Sequence, residues 1–482
     1  MIQEMGVVEI RRARVARDVR SSLAWSAWFG TLSDIWWTRA RGGNAIAEVR
    51  AMRIAKLMEH ARAHSAFYRH AWRNLPLGPP ALGELPVVTR RALMARFDEW
   101  VTDPAIKRQD IESFLKNRDN IGNRYRGQYI VWKSSGSTGE PGIYVQDEMA
   151  LGTYDALIAM QATAVGMTGV FASGLIEGGR AVLIAATGDH FASIASWQRA
   201  CRDLPWISAR VLSVMDALPQ LVAELNAYQP AFVASYPTLL AQLADEQAAG
   251  RLRIVPSCLW SGGECLSPSM AEKIKRAFSC KLINEYGASE CMSIAFSCDR
   301  GRLHINADWV VLEPVDRHYR PTPAGERSHT VLLTNLANYV QPLIRYDLGD
   351  SIIVEPSQCE CGSPLAAITV DGRADEVVSL RNAGGSIVSL LPLALTTVVE
   401  ESANVHRFQL VQQAPDRLAL RLEPAGRQLA WHAAHAALRH FLRCQTLGNV
   451  QVTLDSEPPK VEAHSGKLRA VIIEHCATPR VH

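Results

Sequence analysis

A run of small and hydroxyl-bearing residues follows a strand-like segment, Tyr129 to Lys133, and could hold phosphate groups. The run consists of Ser134, Ser135, Gly136, Ser137, Thr138 and Gly139. Glycines let the backbone approach a polyanion closely, while hydroxyls and backbone amides donate hydrogen bonds to phosphate oxygens. The spacing of a Walker loop is absent, which argues against a P-loop ATPase. A flexible surface loop rich in serine and glycine stays open as the alternative for this run alone.

Two further segments place a carboxylate beside a flat ring or a glycine turn. One runs from Glu285 to Glu290 and contains Tyr286, and the other ends in Leu348, Gly349 and Asp350. The Tyr286 ring could stack on a base, and the Glu290 carboxylate could hold a metal ion. The Asp350 carboxylate could accept hydrogen bonds from ribose hydroxyls. Taken alone, each segment is equally compatible with an ordinary surface turn.

Cysteine and histidine residues form a separate candidate site, for a metal ion. Cys298 and His304 are close in sequence, and Cys359 and Cys361 follow downstream. Thiolates and an imidazole suit tetrahedral Zn²⁺, and a Cys-x-Cys-Gly turn can present two sulfurs to one ion. The spacing is not that of a zinc finger, so four unrelated residues stay open as the alternative.

The length and periodicity of the chain predict the elements that must position these residues. Its 482 residues exceed the roughly 250 to 300 at which one hydrophobic core stops growing, so we expect at least two domains. From Val131 to Glu264 strand-like and helical runs alternate, which predicts an α/β core. The predicted strands include Ala181 to Ala185 and Phe232 to Ser235, and the predicted helices include Met215 to Ala227 and Thr238 to Ala249.

The two ends of the chain show different patterns. Ile46 to Trp72 has apolar residues at helical spacing, and Leu85 to Trp100 reads as a proline-broken turn followed by a helix. After Arg373 short strands and helices predict a small α+β domain, which places the domains at residues 1–374 and 375–482. The four tryptophans near the N-terminus favour packing of that segment onto the body over a membrane-surface helix. They are Trp25, Trp28, Trp36 and Trp37.

The composition excludes several classes of partner. A formal net charge of +3 with 48% apolar and 21% charged residues calls for neither a nucleic acid nor an anionic membrane. The apolar stretch Leu23 to Phe29 is too short to span a membrane and lacks a cleavage site. Ten cysteines without a secretory signal indicate reduced thiols, so we expect a cytoplasmic protein with small ligands. Whether the chain forms a homodimer is left open.

In their joint order, these segments resemble the adenylate-forming superfamily and, more closely, its phenylacetate-CoA ligase-like branch. The resemblance covers nearly the whole chain. It also includes three segments not yet named, Ser261 to Glu264, Gly372 to Glu376 and Ser465 to Arg469. Phe67-Tyr68-Arg69 and Leu85-Pro86-Val87-Val88-Thr89 resemble the segments that precede the phosphate loop in this branch.

The resemblance implies Mg-ATP-dependent adenylation of a small, by default aromatic, carboxylic acid, followed by transfer of the acyl group to CoA. It implies a large N-terminal domain that binds ATP and acid and a small, mobile C-terminal domain. An amine or a carrier protein as acceptor, or a non-catalytic binding protein with the same fold, stays open as an alternative.

Residue roles are carried over from the same resemblance. The implied nucleotide-binding residues are Ser134, Ser135, Gly136, Ser137, Thr138, Gly139, Gly263, Glu264, Glu285, Tyr286, Gly287, Ser289, Glu290, Asp350, Arg373 and Lys467. Glu290, by helping to hold Mg²⁺, and Lys467, as the electrostatic catalyst, are the implied catalytic residues. Asp375 is the implied hinge, and Tyr236, Gly262 and Ala288 are the implied contacts to the acid.

Two further implications concern the metal and the phosphate loop. The resemblance implies structural Zn²⁺ at Cys298, His304, Cys359 and Cys361. The family loop usually carries lysine after Thr-Gly, where this chain has Glu140. A carboxylate repels a triphosphate, so we expect the Glu140 side chain to point to solvent or to pair with a basic side chain.

Overall fold

The computed structural model describes most of the chain. The described residues are 28–75, 81–134, 141–164, 179–203, 208–371, 378–403, 405, 407–423, 427–460 and 469–474.

Short helices and a small sheet make up the N-terminal part. Residues 28–40 are helical. The helices that follow are α1 Gly43–His64, α2 Ala66–Ala71, α3 Arg90–Ala95, α4 Phe97–Trp100 and α5 Arg108–Leu115. A three-stranded antiparallel sheet then contains β1 Arg124–Tyr125, β2 Tyr129–Lys133 and β3 Ile143–Gln146.

A nine-stranded mixed sheet dominates the central part, in the strand order β14-β15-β10-β9-β8-β7-β6-β4-β5. Its strands are β4 Ala181–Ala185, β5 Ala209–Ser213, β6 Phe232–Ser235, β7 Cys258–Ser261, β8 Lys281–Ala288, β9 Cys291–Ser297, β10 Leu303–Ile305, β14 Ser351–Val354 and β15 Ala367–Asp371. Strands β5, β4, β6, β7 and β8 pair in parallel, and β8 starts the antiparallel half.

Helices connect the strands of the parallel half, as parallel pairing requires. They are α7 Ala192–Asp203, α8 Leu218–Tyr228, α9 Pro237–Ala248 and α10 Pro268–Phe278, while α6 Glu148–Ala164 lies between β3 and β4. The α8, α9 and α10 helices each have proline in the first turn, where the missing N–H breaks no helical hydrogen bond. The remaining central strands form a second antiparallel sheet: β11 Val310–Val315, β12 Thr330–Asn335 and β13 Leu343–Asp347.

The C-terminal part is a small α+β unit. Its elements are β16 Val378–Arg381, β17 Ile387–Leu390, α11 Pro392–Ala403, β18 Phe408–Ala414, β19 Arg417–Leu422, α12 Arg427–Cys444, β20 Gln451–Leu454 and β21 Val471–Ile473. The β16 and β17 strands form a hairpin, and the other four form a sheet in the order β20-β19-β18-β21. This unit and the large mixed sheet confirm the predicted fold class. The boundary at 374/375 and the mobility of the small unit stay predictions, because residues 372–377 lie outside the described ranges.

Two hydrophobic clusters divide the interior. The first joins the N-terminal helices and the small antiparallel sheets to one face of the large sheet and contains Trp100 and Trp132. The second joins the α8, α9 and α10 side of the large sheet to the C-terminal unit, for example through Leu240 and Leu395. The C-terminal unit therefore packs against the helices that flank the parallel strands. A hydrogen bond from Gln445 Nε2 to the carbonyl oxygen of Met215 (2.9 Å) also crosses this boundary.

The N-terminal helical residues 28–40 are attached to the body by a buried ion pair. Arg39 Nη2 lies 2.8 Å from Asp308 Oδ1, and Trp28 packs against the first cluster as predicted. For Trp36 and Trp37 the packing prediction is wrong, because they are 52% and 61% exposed. Trp25 lies outside the described residues.

Helix boundaries are the other difference from the sequence prediction. The predicted helix after the turn at Leu85 is two short helices, α3 and α4, because Arg96 leaves the helical region with φ −126° and ψ 38°. The helix expected from Met215 begins at Leu218. Within the described ranges, none of the helices combines the length and the apolar character needed to cross a bilayer.

Candidate active site

The carboxyl ends of three parallel strands bring three of the predicted residues into one row. Ser235 of β6 pairs with Ser261 of β7, and Ser261 pairs with Asn284 of β8. The next residue of each strand is Tyr236, Gly262 and Glu285, so these three lie side by side at this edge. Open α/β sheets bind ligands at the carboxyl ends of their strands. The register thus places two predicted substrate contacts, Tyr236 and Gly262, next to one predicted nucleotide residue, Glu285.

Gly263 and Tyr236 fit closely against each other. Gly263 has φ +80°, and a Cβ there would lie 3.0 Å from Cε1 of Tyr236, so only glycine fits without strain. The Tyr236 hydroxyl accepts a hydrogen bond from the backbone N–H of Ala186 (3.2 Å). Burial raises the pKa of Tyr236 to about 12, which keeps the phenol neutral at pH 7. The ring therefore forms a rigid, uncharged wall.

The side chain of Glu264 has a structural partner. Its Oε2 accepts hydrogen bonds from Thr238 Oγ1 (2.6 Å) and from the backbone N–H of Thr238 (3.3 Å). Thr238 is in the first turn of α9, where unpaired amides and the helix dipole favour an anion. The backbone of Gly263 and Glu264, rather than the Glu264 carboxylate, is then the part available to a base.

Glu285 is enclosed at the centre of the row. Its Oε2 accepts a hydrogen bond from Trp260 Nε1 (2.7 Å), and its Oε1 lies 3.5 Å from the Ser293 hydroxyl, which donates to it. Burial raises the pKa of Glu285 to about 7, against an ordinary value of 4.5. The two donors offset only part of the cost of desolvation, so folding favours the protonated carboxyl.

This shift predicts a pH dependence of stability that Glu285→Gln removes. Because the folded-state pKa is the higher one, the contribution of Glu285 is fully present below pH 4.5 and is lost as the pH rises through about 7. The shift corresponds to roughly 3 kcal/mol. We expect Glu285→Gln to be more stable than the wild type at pH 8 and to match it at pH 5, measured by urea unfolding. An equal difference at both pH values would contradict this cause.

Gly287 lies at an irregularity in the β8–β9 pairing. The register shifts between Tyr286 and Ala288, and a Cβ at Gly287 would overlap the backbone oxygen of Met292. Glycine is needed here because the two strands approach each other too closely for any side chain. The bulge turns Tyr286 and Ala288 relative to the rest of β8.

We expect Gly287→Ala to lower the free energy of unfolding by about 3 kcal/mol, because the added methyl group can only be accommodated by moving backbone. Gly262→Ala is the matched control. A Cβ at Gly262 meets its nearest atom, Glu285 O, at 3.6 Å, so a change below about 1 kcal/mol is expected. Urea unfolding of both variants checks this, and equal effects would rule out the close-approach explanation.

Tyr286 of β8 contacts Asp350, which lies in the turn between β13 and β14. The Tyr286 hydroxyl donates a hydrogen bond to Asp350 Oδ2 (2.9 Å). Burial and the Asp350 carboxylate together hold the pKa of Tyr286 well above its ordinary value, so the phenol stays a donor. Asp350 follows Gly349, which has φ +79° and whose N–H donates to Asp347 Oδ1 (3.1 Å). This turn holds the carboxylate beside the ring.

Among the predicted acidic residues that the structure describes, Glu290 is the most buried, at 3% exposure. Its Oε1 accepts hydrogen bonds from the hydroxyls of Tyr144 (2.6 Å) and Tyr346 (2.7 Å). Arg90 Nη2 lies 3.3 Å from the same oxygen. Burial, with Glu290 as a second cause, raises the pKa of both tyrosines above the ordinary value. Both phenols are therefore neutral donors to a carboxylate.

Arg90, Tyr144 and Tyr346 were not predicted as site residues. Arg90 directly follows the Leu85 to Thr89 segment that carried part of the family resemblance, and Tyr346 lies four residues before Asp350. Tyr144 lies just beyond the phosphate loop. Proximity to known motifs was the only signal for them in the sequence.

The base of the predicted phosphate loop is closed by hydrogen bonds. The Ser134 N–H donates to Gly142 O (2.9 Å), and the Gly142 N–H donates to Ser134 Oγ (2.8 Å). Ser134 is thus held at the end of the β2–β3 hairpin. Ser135, Gly136, Ser137, Thr138 and Gly139, and also Glu140, lie outside the described residues.

Three more predicted residues, Arg373, Asp375 and Lys467, also lie outside the described ranges. The segment 461–468, which contains Lys467, begins and ends at one side chain. Gln409 Nε2 donates to the carbonyl oxygens of Lys460 (3.2 Å) and Arg469 (2.9 Å). The carbonyl groups of the two described residues that flank the segment, Lys460 and Arg469, therefore lie close together.

The predicted metal ligands come together. The ligand atoms of Cys298, His304, Cys359 and Cys361 all lie within 4.8 Å of one another. Cys298 Sγ and Cys359 Sγ are 3.9 Å apart, close to the roughly 3.8 Å expected for two sulfurs bound tetrahedrally at about 2.3 Å. His304 Nδ1 lies 2.8 Å from Leu365 O, which leaves Nε2, 3.3 Å from Cys361 Sγ, for an ion. The donor set fits zinc.

The fold is similar to that of known adenylate-forming enzymes. A structure of 2-hydroxyisobutyryl-CoA ligase with 2-HIB-AMP and CoA in the thioesterification state has a TM-score of 0.53 at 20% identity, with 89% of each chain covered. A postadenylation structure of that ligase with 2-HIB-AMP has a TM-score of 0.50 at 21% identity, with 90% of each chain covered. At this identity the likeness shows the fold.

Residues 207–324 match the family described as AMP-binding enzyme. The matched stretch contains Tyr236, Gly263, Tyr286 and Glu290. The protein is also 25% identical over 142 residues to Protein CapK of Staphylococcus aureus, and the match spans 29% of this chain and 30% of CapK.

Proposed function

We propose that this protein is an AMP-forming acid–CoA ligase of the phenylacetate-CoA ligase-like branch. The observation that carries the proposal is the contact between Tyr286 and Asp350, on the strand next to the one that ends before Gly262 and Gly263. A flat phenol, a backbone that admits close approach and a carboxylate beside them match the base and ribose of one nucleotide. The AMP-binding enzyme domain supports the same assignment.

In the proposed reaction the acid's carboxylate oxygen attacks the α-phosphorus of ATP, and pyrophosphate leaves. The CoA thiolate then attacks the acyl carbon of the acyl-adenylate, and AMP leaves. Two anions must meet in the first step, so a fixed cation lowers the barrier. We assign that role to Lys467, with Arg373 contacting the nucleotide and Asp375 as the hinge.

Glu290 fits the role of a Mg²⁺ ligand. Mg²⁺ prefers oxygen ligands and is usually bound through one or two carboxylates plus substrate phosphates. In the described part of the chain the three donors to the Glu290 carboxylate all bind Oε1, so Oε2 is the oxygen that remains for an ion. When bound, the ion offsets phosphate charge. The chain's own part is to hold one carboxylate in a fixed direction.

We also propose that the four-residue Cys/His site binds structural Zn²⁺. All four ligand atoms come from protein, which leaves no open position for chemistry. Cys359 and Cys361 lie between β14 and β15, and β14 begins directly after Asp350. A closed metal site there would fix the far end of the strand that positions Asp350.

The acid is proposed to be small. Tyr236 fills the space beside Gly263, and its hydroxyl is engaged by Ala186. With Gly262 and Ala288 it offers an apolar, uncharged surface, and an aromatic acid is the first candidate. The likeness in fold to a CoA ligase makes CoA the first candidate acceptor. A cytoplasmic location, also proposed, agrees with these substrates.

The test is acid-dependent pyrophosphate release from Mg-ATP with aromatic, aliphatic and hydroxy acids, each with and without CoA. We expect release that depends on one class of acid, with an acyl thioester formed when CoA is present. Pyrophosphate release without consumption of CoA would indicate that the acceptor is an amine or a carrier protein. No release with any acid would contradict the ligase and favour a binding protein.

A further inference from the structure

Arg90 is held against Glu290 by a segment that pairs with β13. The Val88 N–H donates to Arg345 O (3.0 Å), and the Asp347 N–H donates to Val88 O (2.9 Å). Two residues later Arg90 begins α3, whose N-cap Thr89 accepts a hydrogen bond from the Ala92 N–H (3.4 Å). Backbone pairing before Arg90 and a capped helix after it therefore fix the backbone position of Arg90.

The guanidinium of Arg90 touches two members of the Glu290 cluster. Nη2 lies 3.3 Å from Glu290 Oε1, and Nε donates to the Tyr346 hydroxyl at 3.3 Å. The Tyr346 hydroxyl in turn donates to Glu290 Oε1. The Arg90 guanidinium thus contacts both the Glu290 carboxylate and Tyr346, one of the two phenols that donate to it.

The charge and burial of Arg90 suit it to be the oppositely charged partner of Glu290. The Glu290 side chain is 4% exposed and that of Arg90 is 24% exposed, so the cation lies nearer the solvent than the anion behind it. A carboxylate this buried needs a partner of opposite charge. Burial is the largest single effect and disfavours the charged guanidinium, but Glu290 together with Tyr346 and Tyr144 outweighs it, and the pKa of Arg90 is raised.

All three donors converge on a single oxygen. Tyr144, Tyr346 and Arg90 bind Oε1 from three separate parts of the chain. Holding Oε1 fixes the rotation of the carboxyl group and so the direction in which Oε2 points. Partners that orient a ligand in this way tune metal affinity in many proteins.

We propose that Arg90 is a positioning residue of the nucleotide site, which acts through Glu290 to present Oε2 to the Mg²⁺ ion of Mg-ATP. This inference rests on the proposed function, which assigns Glu290 to that ion. Tyr144 and Tyr346 assist Arg90 in this role. Nothing in it requires Arg90 to touch the nucleotide.

Calorimetric titration of the full chain tests the inference without turnover. ATP is titrated into wild type, Arg90→Met, Glu290→Gln and the double variant, with excess Mg²⁺ or with EDTA. We expect Arg90→Met to weaken Mg-ATP binding by about 10- to 100-fold and to leave binding of ATP in EDTA unchanged. Because Arg90 acts through Glu290, the double variant should bind Mg-ATP no more weakly than Glu290→Gln alone.

Three outcomes would overturn the inference. Arg90→Met could bind Mg-ATP like the wild type, or lose affinity equally in EDTA, which would show a direct phosphate contact. The two substitutions could also be additive. If the wild type itself binds no Mg-ATP, the proposed nucleotide-dependent function fails, which distinguishes that failure from a failure of Arg90 alone.

Controls separate positioning from folding. Arg91→Met removes an exposed arginine from the neighbouring position of the same helix, and we expect wild-type binding. If Arg90→Met does not fold, Arg90→Lys and Tyr346→Phe take its place. Each retains part of the network, and each should weaken Mg-ATP binding less than the loss of Glu290 does. Wild-type affinity in both would overturn the inference.

Discussion

Lys467→Ala is expected to slow acid-dependent adenylation by about 10² to 10³. We assign to its ammonium group the role of reducing the repulsion between the acid's carboxylate and the triphosphate as they approach each other. Removing a preorganised charge of this kind raises the barrier more than it weakens binding of the ground state. Single-turnover pyrophosphate release, measured with saturating Mg-ATP and acid, reports the step directly.

The position of Lys467 in the chain is compatible with that role. Both ends of its segment, at Lys460 and Arg469, are hydrogen-bonded to Gln409 of the C-terminal sheet. The described residues on both sides of Lys467 in the chain therefore belong to the small domain. If the small domain closes over the carboxyl edge of the large sheet, it therefore brings Lys467 with it, as a lid completes a site.

The second half-reaction provides the discriminating control. If the small domain presents a different face for acyl transfer, thioester formation from synthetic acyl-adenylate and CoA should be unchanged by Lys467→Ala. Lys460→Ala is the matched substitution, because Lys460 is an exposed lysine that pairs with Glu457. Pyrophosphate release at the wild-type rate in Lys467→Ala would show that another group supplies the charge.

The sequence predicted most of the elements that form the row at the edge of the sheet. The β6 strand has the predicted bounds, Phe232 to Ser235, and α9 starts one residue before the prediction, at Pro237. A short apolar run that ends at a proline leaves few alternatives, because proline fits the first turn of a helix and not a central strand. The local sequence was therefore sufficient to predict the bounds of β6 and the start of α9 to within one residue.

The cluster around Glu290 could not be predicted in the same way. It joins Arg90, Tyr144, Glu290 and Tyr346, which are up to 256 residues apart in the chain. The periodicity of apolar residues in the sequence does not predict such contacts, because they depend on how the two antiparallel sheets pack against the large one. The motif identified Glu290, whereas only the fold shows which groups orient it.

The exposure of Trp36 and Trp37 could not be predicted from the composition either. Both directly follow Ile35, which is fully buried, on a helix that faces the body along one side only. Aromatic residues usually pack, which was the reason for the prediction. At helical spacing, however, residues adjacent to a buried position turn away from it. A count of tryptophans cannot distinguish the two sides.

Cys361→Ser is expected to abolish zinc binding and to lower the thermal midpoint of unfolding. The wild type should contain about one equivalent of zinc, since a closed site of three thiolates and one imidazole binds it tightly. An ion that binds only the folded state stabilises it by about 4 kcal/mol at 1,000 times its Kd. Elemental analysis and thermal unfolding, with and without a chelator, measure the two effects.

A matched substitution separates the metal from the thiol. Cys444 is exposed and lies outside the four-residue site, so Cys444→Ser should retain zinc and the wild-type midpoint. A chelator should lower the midpoint of wild type and Cys444→Ser, but not that of Cys361→Ser. Less than about half an equivalent of zinc in freshly purified wild type would contradict the site. A structural clip also predicts that residual folded Cys361→Ser still binds ATP, because a closed site takes no part in the nucleotide chemistry.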